Sequence, residues 1–318
     1  MKVLMFGWEF PPFTSGGLGT ACYALTKGLS KNGVEVNFVV PYYPSDQKVE
    51  FVNIVSASNI KNITIVPVSS TLTQYGTPES YEERIARLKK GLRELYGHDL
   101  YEEVMRYSVV AAQLAKDLDH DVIHCHDWMT YQAGINAKEI SGKPLVVHIH
   151  NTVFDRSSLN PNIHEYHIEK MGFEEADMII TISNKMKETL ISKYNINPQK
   201  VVVVHWGIDE EDTDYNIKVK KPFNTKIVMF VGRITLQKGP DYFIEAAKKV
   251  LDYEPDTRFI MVGSGDMLPR IINRAIELGI SDKVTFTGWF GKRDVYKAFK
   301  LADIFVMPSV SEPFGLVA

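Results

Sequence analysis

The segment KIVMFVGRITLQKGPDYFIEAAKKVL, residues 226–251, decides the fold class of this chain. It begins with an apolar run, passes through a polar loop bounded by glycines, and ends with apolar residues at helical spacing. A strand that is apolar on both faces and is followed directly by a helix is typical of a parallel sheet covered by helices. The segment therefore predicts one strand–loop–helix unit of an α/β domain.

The same unit recurs along the whole chain. In the second half the predicted strands are KIVMFVGR, RFIMVGSG, KVTFTGWF and DIFVMPS, and the helices between them are DYFIEAAKKVL, MLPRIINRAIELG and DVYKAFKLA. In the first half the predicted strands are KVLMF, VEVNFVV, NITIVPVS, DVIHCH, PLVVHIH, DMIITIS and KVVVVHW. These patterns predict two doubly wound, Rossmann-like domains.

A polar stretch without periodicity, residues 209–224, separates the two sets of strands. We place an N-terminal domain at residues 1–215 and a C-terminal domain at residues 222–318. When two such domains face each other, the ligand binds in the cleft between them, at the carboxyl ends of the strands. We therefore expect the functional residues to follow strands directly.

Bulk composition excludes some classes of function. A net charge of −3 with 24% charged side chains argues against a nucleic-acid partner. The N-terminus has neither the long apolar core of a secretory signal nor the roughly 20 apolar residues of a membrane span. Cys22 and Cys125 lie in apolar stretches, which predicts reduced thiols in a cytoplasmic protein.

The loop SGGLG, residues 15–19, follows the first predicted strand and opens a predicted helix. Gly16 and Gly17 would let the backbone approach an anion at the helix N-terminus, where unpaired N–H groups favour negative charge. A tight turn that needs glycine explains the loop equally well. Neither a G-x-G-x-x-G fingerprint nor a phosphate-binding P-loop is present.

Charged residues follow two strands of the second domain. Arg233 and Lys238 lie in the loop before the helix that is predicted to start near Pro240. Two cations there could neutralise a departing diphosphate, although a solvated loop is the alternative. Glu312 follows DIFVMPS and could bind sugar hydroxyls, act as a base or cap a following helix.

Four histidines lie in two strands of the first domain: His124 and His126 in HCH, and His148 and His150 in HIH. Residues two apart on a strand share a face, so these pairs could bind a metal ion. We predict no metal, because strand-end histidines usually hydrogen-bond to neighbouring loops. We expect His150 and Asp127, which end their strands, to face the cleft.

Taken together, PPFTSGGLG, HCHDW, HIHN, VGRITLQKG and SEPFGLVA resemble the motifs of retaining nucleotide-sugar glycosyltransferases of the GT-B fold. The resemblance is to the glycogen and starch synthase-related members, and it covers essentially the whole chain. It implies two Rossmann-like domains, an N-terminal acceptor-side domain and a C-terminal nucleotide-sugar-binding domain.

The resemblance also implies roles for individual residues. The glycine loop, here Gly16 and Gly17, approaches the donor diphosphate, and Arg233 with Lys238 holds that diphosphate and promotes its departure. The remaining residues contact the donor or acceptor: His150 and Glu312 bind the sugar, Asp127 orients sugar or acceptor, the amides of Phe314, Gly315 and Leu316 lie close by, and Gly263 and Gly265 line the nucleotide side.

Two departures from the family pattern bear on the donor and on chain length. Bacterial ADP-glucose-using glycogen synthases have a lysine before the glycine pair, where this chain has Thr14. In relatives a second glutamate follows the first by eight positions, and that position lies two residues beyond Ala318. We therefore expect a truncated chain whose second domain is incomplete.

The activity implied is metal-independent transfer of a hexose, glucose in the first instance, from UDP-glucose or ADP-glucose to a glycan such as an α-glucan, with no cofactor. One alternative is a transferase that builds another glycoconjugate or an exported polysaccharide, for which the basic stretch RIARLKKGLRELYG, residues 84–97, would be a membrane-docking helix. The other alternative is a protein of the same fold with a different role. It would be a nucleotide-sugar epimerase or hydrolase, or a remnant that only binds its ligand.

Overall fold

The computed structural model describes residues 1–8, 10, 17–40, 63–67, 81–82, 86, 98–157, 160–207, 219, 221 and 225–318. The chain divides into two compact units, one formed by Met1–Thr152 with Asn162–Ile208 and the other by Val153–Pro161 with Asp209–Ala318. The predicted linker at 209–224 and the basic stretch at 84–97 lie almost wholly outside the described residues. Gly16 and Thr14 lie outside them as well.

The first unit is built on a parallel sheet of seven described strands. The strands are β1 (Lys2–Phe6), β2 (Glu35–Val40), β3 (Ile63–Pro67), β4 (Val122–His126), β5 (Leu145–Ile149), β6 (Met178–Thr181) and β7 (Val201–Val203). Their order in the sheet is β3-β2-β1-β4-β5-β6-β7. The direction of winding therefore reverses between β1 and β4, which is the switch point where doubly wound sheets open a crevice for ligands.

The helices that the structure describes up to residue 208 are α1 (Gly17–Lys31), α2 (Leu100–Asp117), α3 (Trp128–Ser141), α4 (Val153–Ser157), α5 (Ile163–Glu175) and α6 (Asn184–Tyr194), with α4 belonging to the second unit. Local sequence explains where they start. The side chain of Asp99 accepts from the amide of Glu102 at 2.9 Å, and that of Asn162 accepts from the amide of His164 at 2.9 Å. Such N-caps satisfy amides that the helix itself cannot pair.

The second unit repeats this design on a smaller parallel sheet, ordered β10-β9-β8-β11. Its strands are β8 (Ile227–Val231), β9 (Arg258–Val262), β10 (Val284–Gly288) and β11 (Ile304–Phe305), and its helices after residue 225 are α7 (Pro240–Leu251), α8 (Leu268–Glu277) and α9 (Lys292–Leu301). A 3₁₀ turn at Leu236–Lys238 precedes α7. The predicted alternation of strands and helices is thus confirmed in the described residues.

The end of the chain differs from expectation. The predicted strand DIFVMPS is reduced to β11, which pairs with β8 through Ile304 and Phe305. Residues 306–318, all of which the structure describes, contain no helix and end in a turn from Gly315 to Ala318. A positive φ of 91° at Gly315 and a bond of 2.9 Å from the amide of Ala318 to the Gly315 carbonyl account for the turn.

Each sheet buries an apolar core of its own. Leu4, Met5 and Phe6 of β1 are fully buried in the first unit. In the second unit Phe243 of α7 lies between Phe230 and Phe259 of the sheet, with ring centroids 5.7 and 5.8 Å away. Burying a side chain of this size contributes about 1.5–3 kcal/mol, so such layers hold α7 on the sheet.

Cys22 and Cys125 are buried, and neither forms a disulfide bond in the described part of the chain. In the part of the chain that the structure describes, we find no helix with the length and apolar content needed to span a bilayer.

Candidate functional site

The carboxyl ends of β8 and β11 bring Lys238 and Glu312 together in the second unit, although they lie 74 residues apart in sequence. The Lys238 ammonium donates to both carboxylate oxygens of Glu312, at 2.9 and 2.7 Å, and the Ser309 hydroxyl donates to the same carboxylate at 2.9 Å. The two charged side chains are 19% and 22% exposed. The pair is therefore partly shielded from water while remaining within reach of a ligand.

Gln237 joins the two loops that carry this pair. Its side-chain oxygen accepts from the guanidinium of Arg233 at 3.1 Å. Its buried backbone carbonyl accepts from the amides of Val310 at 2.9 Å and Ser311 at 3.4 Å. Arg233, Lys238 and Glu312 thus belong to one hydrogen-bonded arrangement. Sequence reasoning missed Gln237 and Ser309, because a glutamine or serine in a polar loop carries no distinguishing signal.

Gly263 and Gly265 lie where the loops after β8 and β9 come into backbone contact. The amide of Ile234 donates to the carbonyl of Ser264 at 2.9 Å. A Cβ at Gly263 would overlap the carbonyl oxygen of Gly232, and one at Gly265 would overlap that of Ile234. Gly263 also has a φ of 138°, which side chains rarely adopt. The loop packing alone therefore requires both glycines, whatever ligand they contact.

The residues after Glu312 and the segment after β5 also belong to the second unit. Phe314, Gly315 and Leu316 are partly buried in the terminal turn. The Ser311 hydroxyl donates to the carboxylate of Asp155 in α4 at 2.6 Å. The structure thereby fixes the segment that begins at Val153 beside the end of β11.

In the first unit, Asp127 connects the ends of β4 and β5. Its carboxylate accepts from the amide of His150 at 2.7 Å, and its own amide donates to the carbonyl of His148 at 3.0 Å. Its backbone has φ 60° and ψ 167°, a conformation that costs a residue with a side chain about 1–3 kcal/mol. Strain of this kind is characteristic of functional sites, and the role of Asp127 stays a prediction.

The histidine cluster consists of His124, His126, His148 and His150, which lie on one face of the sheet at β4 and β5. Nδ1 of His126 lies 2.8 Å from Nε2 of His150, within hydrogen-bond distance. The rings stack closely, with centroids 4.1 Å apart for His148 and His150 and 4.5 Å apart for His124 and His126. The ring of Trp206 lies 4.8 Å from that of His150.

The whole histidine cluster is buried, and its members are held neutral. Burial lowers the pKa of His124 to about 4. It also lowers the pKa values of His126, His148 and His150 well below the ordinary value, and neighbouring imidazoles add to the effect. An imidazolium in this position would lose its hydration without gaining a counter-charge of its own.

Several nitrogens of the histidine cluster have no hydrogen-bond partner among the described residues. They are Nε2 of His124, Nε2 of His126, both ring nitrogens of His148, and Nδ1 of His150. A buried polar atom left in this state costs about 1–3 kcal/mol. The cluster therefore needs an explanation beyond packing.

The predicted site residues thus fall into two sets, each assembled within one unit. Asp127 and His150 are joined at the ends of β4 and β5. The other set, at the ends of β8 and β11, contains Arg233, Lys238 and Glu312. Gly17 is the first residue of α1, and its partner Gly16 is outside the described part of the chain.

Comparison with known families gives two matches that together cover almost the whole chain. Residues 2–201 match the starch synthase catalytic domain, and residues 211–318 match the group 1 glycosyl transferases.

Individual relatives agree with the family matches. An uncharacterized glycosyltransferase of Methanocaldococcus jannaschii is 33% identical over all of this chain and 77% of its own length. A D-inositol 3-phosphate glycosyltransferase of Mycobacterium sp. (strain KMS) is 32% identical over 63% of this chain and 48% of its own length. Glycogen synthase of Mycobacterium tuberculosis is 24% identical over all of this chain and 75% of its own length.

Solved structures share the fold. Sucrose-phosphate synthase from Thermosynechococcus elongatus superimposes with a TM-score of 0.76 at 18% identity, over all of this chain and 77% of that one. The catalytic domain of starch synthase IV from Arabidopsis thaliana, bound to ADP and acarbose, gives 0.69 at 16% identity, over 99% of this chain and 79% of that one. The fold is therefore that of the GT-B class, with two Rossmann-like domains.

Proposed function

This chain belongs to the glycosyltransferase family defined by the starch synthase catalytic domain, and we propose that it transfers a hexose, glucose in the first instance, from a nucleoside diphosphate sugar to a hydroxyl of an α-glucan. The observation that carries the proposal is the assembly of Lys238 and Glu312 at the ends of β8 and β11. Loops at the carboxyl ends of parallel strands are where doubly wound folds bind their ligands.

The charged groups of the second unit suit a diphosphate leaving group. Breaking the bond between the anomeric carbon and the donor oxygen leaves additional negative charge on the diphosphate. The ammonium of Lys238 and the guanidinium of Arg233 would stabilise that charge as it develops. Glu312 and Gln237 hold these cations in place, so little reorganisation is needed when a donor binds.

Glu312 would bind the donor sugar in addition to pairing with Lys238. A carboxylate accepts hydrogen bonds from hydroxyl groups, and Ser309 already makes such a contact with it. The partly buried turn of Phe314, Gly315 and Leu316 would offer backbone amides beside it. Gly263 and Gly265 would let the nucleotide approach the backbone of the loop after β9.

In the first unit, His150 and Asp127 would position the sugar. The carboxylate of Asp127 accepts from the amide of His150 and so anchors the backbone at the end of β5, next to the His150 carbonyl. That carbonyl would lie near the anomeric carbon and favour positive charge there. The start of α1 at Gly17 would face the diphosphate with its unpaired amides.

The reaction we propose keeps the anomeric configuration and uses no metal ion. The bond to the leaving diphosphate breaks on the same face of the sugar on which the acceptor oxygen bonds to the anomeric carbon. The departing phosphate oxygen takes the proton of the acceptor hydroxyl. The protein contributes electrostatic stabilisation and positioning, and no covalent intermediate with the chain is formed.

UDP-glucose and ADP-glucose are the two donors we propose, with a cytoplasmic setting supported by the buried, reduced thiols of Cys22 and Cys125. A second acceptor class is favoured by one observation. Over 63% of its own length, this chain is 32% identical to a D-inositol 3-phosphate glycosyltransferase. A small phosphorylated polyol is therefore the alternative to an α-glucan.

The test begins with calorimetric titration of the chain with UDP, ADP and their glucose conjugates. We expect micromolar affinity for one nucleotide and a preference for its glucose conjugate. The preferred donor is then incubated with glycogen, with inositol phosphate and with no acceptor, and the products are separated by chromatography.

Transfer to glycogen supports the proposal, and transfer to inositol phosphate supports the alternative acceptor. Donor turnover without any acceptor would instead indicate an epimerase or hydrolase. Binding without turnover would indicate a binding-only protein, and no binding at all would contradict the proposed site in this chain.

A further inference from the structure

We propose that His124, His126 and His148 form a binding site for one divalent transition-metal ion, with Zn²⁺ as the ion to test. One ring nitrogen from each of the three lies within 4.8 Å of the others, and all three side chains are buried. This inference departs from the sequence-based expectation of no metal. It is also independent of the proposed sugar transfer, in which the ion takes no part.

The spacing of the nitrogens is close to what zinc requires. Zinc–imidazole bonds are about 2.0–2.1 Å long and arranged tetrahedrally, which places ligand nitrogens roughly 3.4 Å apart. Nitrogens within 4.8 Å of one another reach that spacing if the rings turn so that each nitrogen moves by roughly 1 Å. Strands β4 and β5 pair in register, His126 opposite His148, so the backbone already holds the ligands in position.

The required lone pairs are available. Nε2 of His124, Nε2 of His126 and both nitrogens of His148 are buried and accept or donate no hydrogen bond within the described part of the chain. If Nδ1 of His126 carries the proton and donates to Nε2 of His150, Nε2 of His126 presents its lone pair. Proteins commonly orient a metal-binding imidazole through a hydrogen bond from its other ring nitrogen.

The chemical state of the cluster also suits a metal. Imidazole binds metal in its neutral form, and burial keeps these three rings neutral. One ion would satisfy three buried nitrogens at once.

The ion would act as a structural link between two strands. It would tie β4 to β5 immediately before Asp127 and His150, whose mutual hydrogen bond closes the same strand ends.

The experiment uses the whole chain, free of any histidine tag and treated with a chelator. Titration with Zn²⁺ is followed by calorimetry, and bound zinc is counted by elemental analysis after gel filtration. We expect one zinc per chain. In His148→Phe the ring stacking is retained and a ligand is lost, so affinity should fall by more than the 10–100-fold that removal of an outer partner costs.

His164→Phe is the matched control, because His164 is exposed on α5 and lies outside the histidine cluster. Its zinc affinity should equal that of the unmodified chain. Equal affinity in His148→Phe and His164→Phe would overturn the proposal, and circular dichroism shows whether each variant is folded. If His148→Phe does not fold, His124→Phe takes its place.

A spectroscopic measurement on the unmodified chain decides the question without any variant. X-ray absorption of the zinc-loaded protein should show three imidazole ligands around the metal. A shell of carboxylate or thiolate ligands, or a chain that retains no zinc after gel filtration, would contradict the proposal.

Discussion

Polar side chains follow the strands in both units, but they are chemically opposite. At the ends of β4 and β5 they are buried imidazoles that stay neutral. At the ends of β8 and β11 they are a lysine and a glutamate that stay partly exposed and pair with each other. Desolvation dominates the first set, while hydrogen bonding between charged groups dominates the second.

Under the proposed function, this difference would be a division of labour within one reaction. A departing diphosphate needs formal charge that can reach it, which Arg233 and Lys238 of the second unit would supply. A sugar ring needs fixed, uncharged surroundings, which His150 and its neighbours in the first unit would supply. The two sets should therefore respond differently to acid, to charge removal and to loss of packing.

Lowering the pH should have the largest effect, which is a fall in the free energy of unfolding of the first unit. The folded pKa values of the histidine cluster lie below the unfolded value near 6.5, so the unfolded chain takes up protons first as the pH falls. The contribution of the cluster to the free energy of unfolding is therefore complete above pH 6.5 and decreases as the pH falls below that value. Each neutral histidine contributes a slope of about 1.4 kcal/mol per pH unit.

Urea unfolding of the chelated chain between pH 7 and 5, followed by tryptophan fluorescence, measures this slope. Trp128 and Trp206 report on the first unit. His148→Phe should reduce the slope by about one histidine, about 1.4 kcal/mol per pH unit. The exposed His164→Phe should leave it unchanged, and a slope that is the same in all three chains would contradict the buried, neutral state of the cluster.

Removing the charge of Lys238 should have the next largest effect, which is a lower rate of sugar transfer. Lys238→Ala should lower the rate of sugar transfer by about 10²–10³-fold, the cost typical of one preorganised electrostatic group. The fold should be unaffected, because Lys238 contacts a partly exposed carboxylate rather than the core. Initial transfer rates at saturating donor measure the effect.

Lys297→Ala is the control for that substitution, since Lys297 pairs only locally with Asp294 on the surface of α9. Its transfer rate should match that of the unmodified chain. Near-normal transfer in Lys238→Ala would mean that the lysine does not stabilise the leaving group.

Loss of loop packing should destabilise the second unit by a smaller amount. Gly263→Ala introduces a Cβ that overlaps the Gly232 carbonyl and forces a side chain into a φ of 138°. We expect a loss of about 2–4 kcal/mol in the free energy of unfolding, seen as a lower urea midpoint. Gly291→Ala should be close to neutral, because Gly291 has φ −67° and its nearest neighbour to an added Cβ is 3.9 Å away. Equal midpoints for the two variants would refute this account of the loop.

The hydrogen bond between Ser311 and Asp155 should give the smallest effect. Ser311→Ala removes a partly buried contact of 2.6 Å and should cost about 0.5–1.5 kcal/mol. A double-mutant cycle with Asp155→Ala isolates the interaction from other losses at each residue. A coupling energy of zero would mean that this hydrogen bond does not help to hold α4.

Most of the fold could be predicted from sequence because the strands are continuous apolar runs bounded by glycines and helix caps. The short β11 could not, because strand length depends on which residues find a pairing partner on β8. Glu312 does not cap a helix within the described residues, since a turn from Gly315 to Ala318 follows it.

The sequence predicts which residues belong to the candidate site, but not which of them contact one another. Period-two spacing correctly placed the two histidines of each pair on one face of their strand, and the pairing of β4 with β5 brings the two pairs together. The contact between Lys238 and Glu312 spans 74 residues and depends on how β8 and β11 pair, which local patterns do not encode. Gln237 and Ser309 act through single hydrogen bonds, which the sequence does not mark in any way.

Because the backbone of Asp127 is strained, replacing this residue should affect stability and activity in opposite directions. Asp127→Gly would relieve about 1–3 kcal/mol of strain, so a laboratory selection for heat resistance should favour it. The same change deletes the carboxylate that fixes the amide of His150, so a selection for sugar transfer should reject it. Position 127 is thus a place where directed evolution for stability and for activity should move in opposite directions.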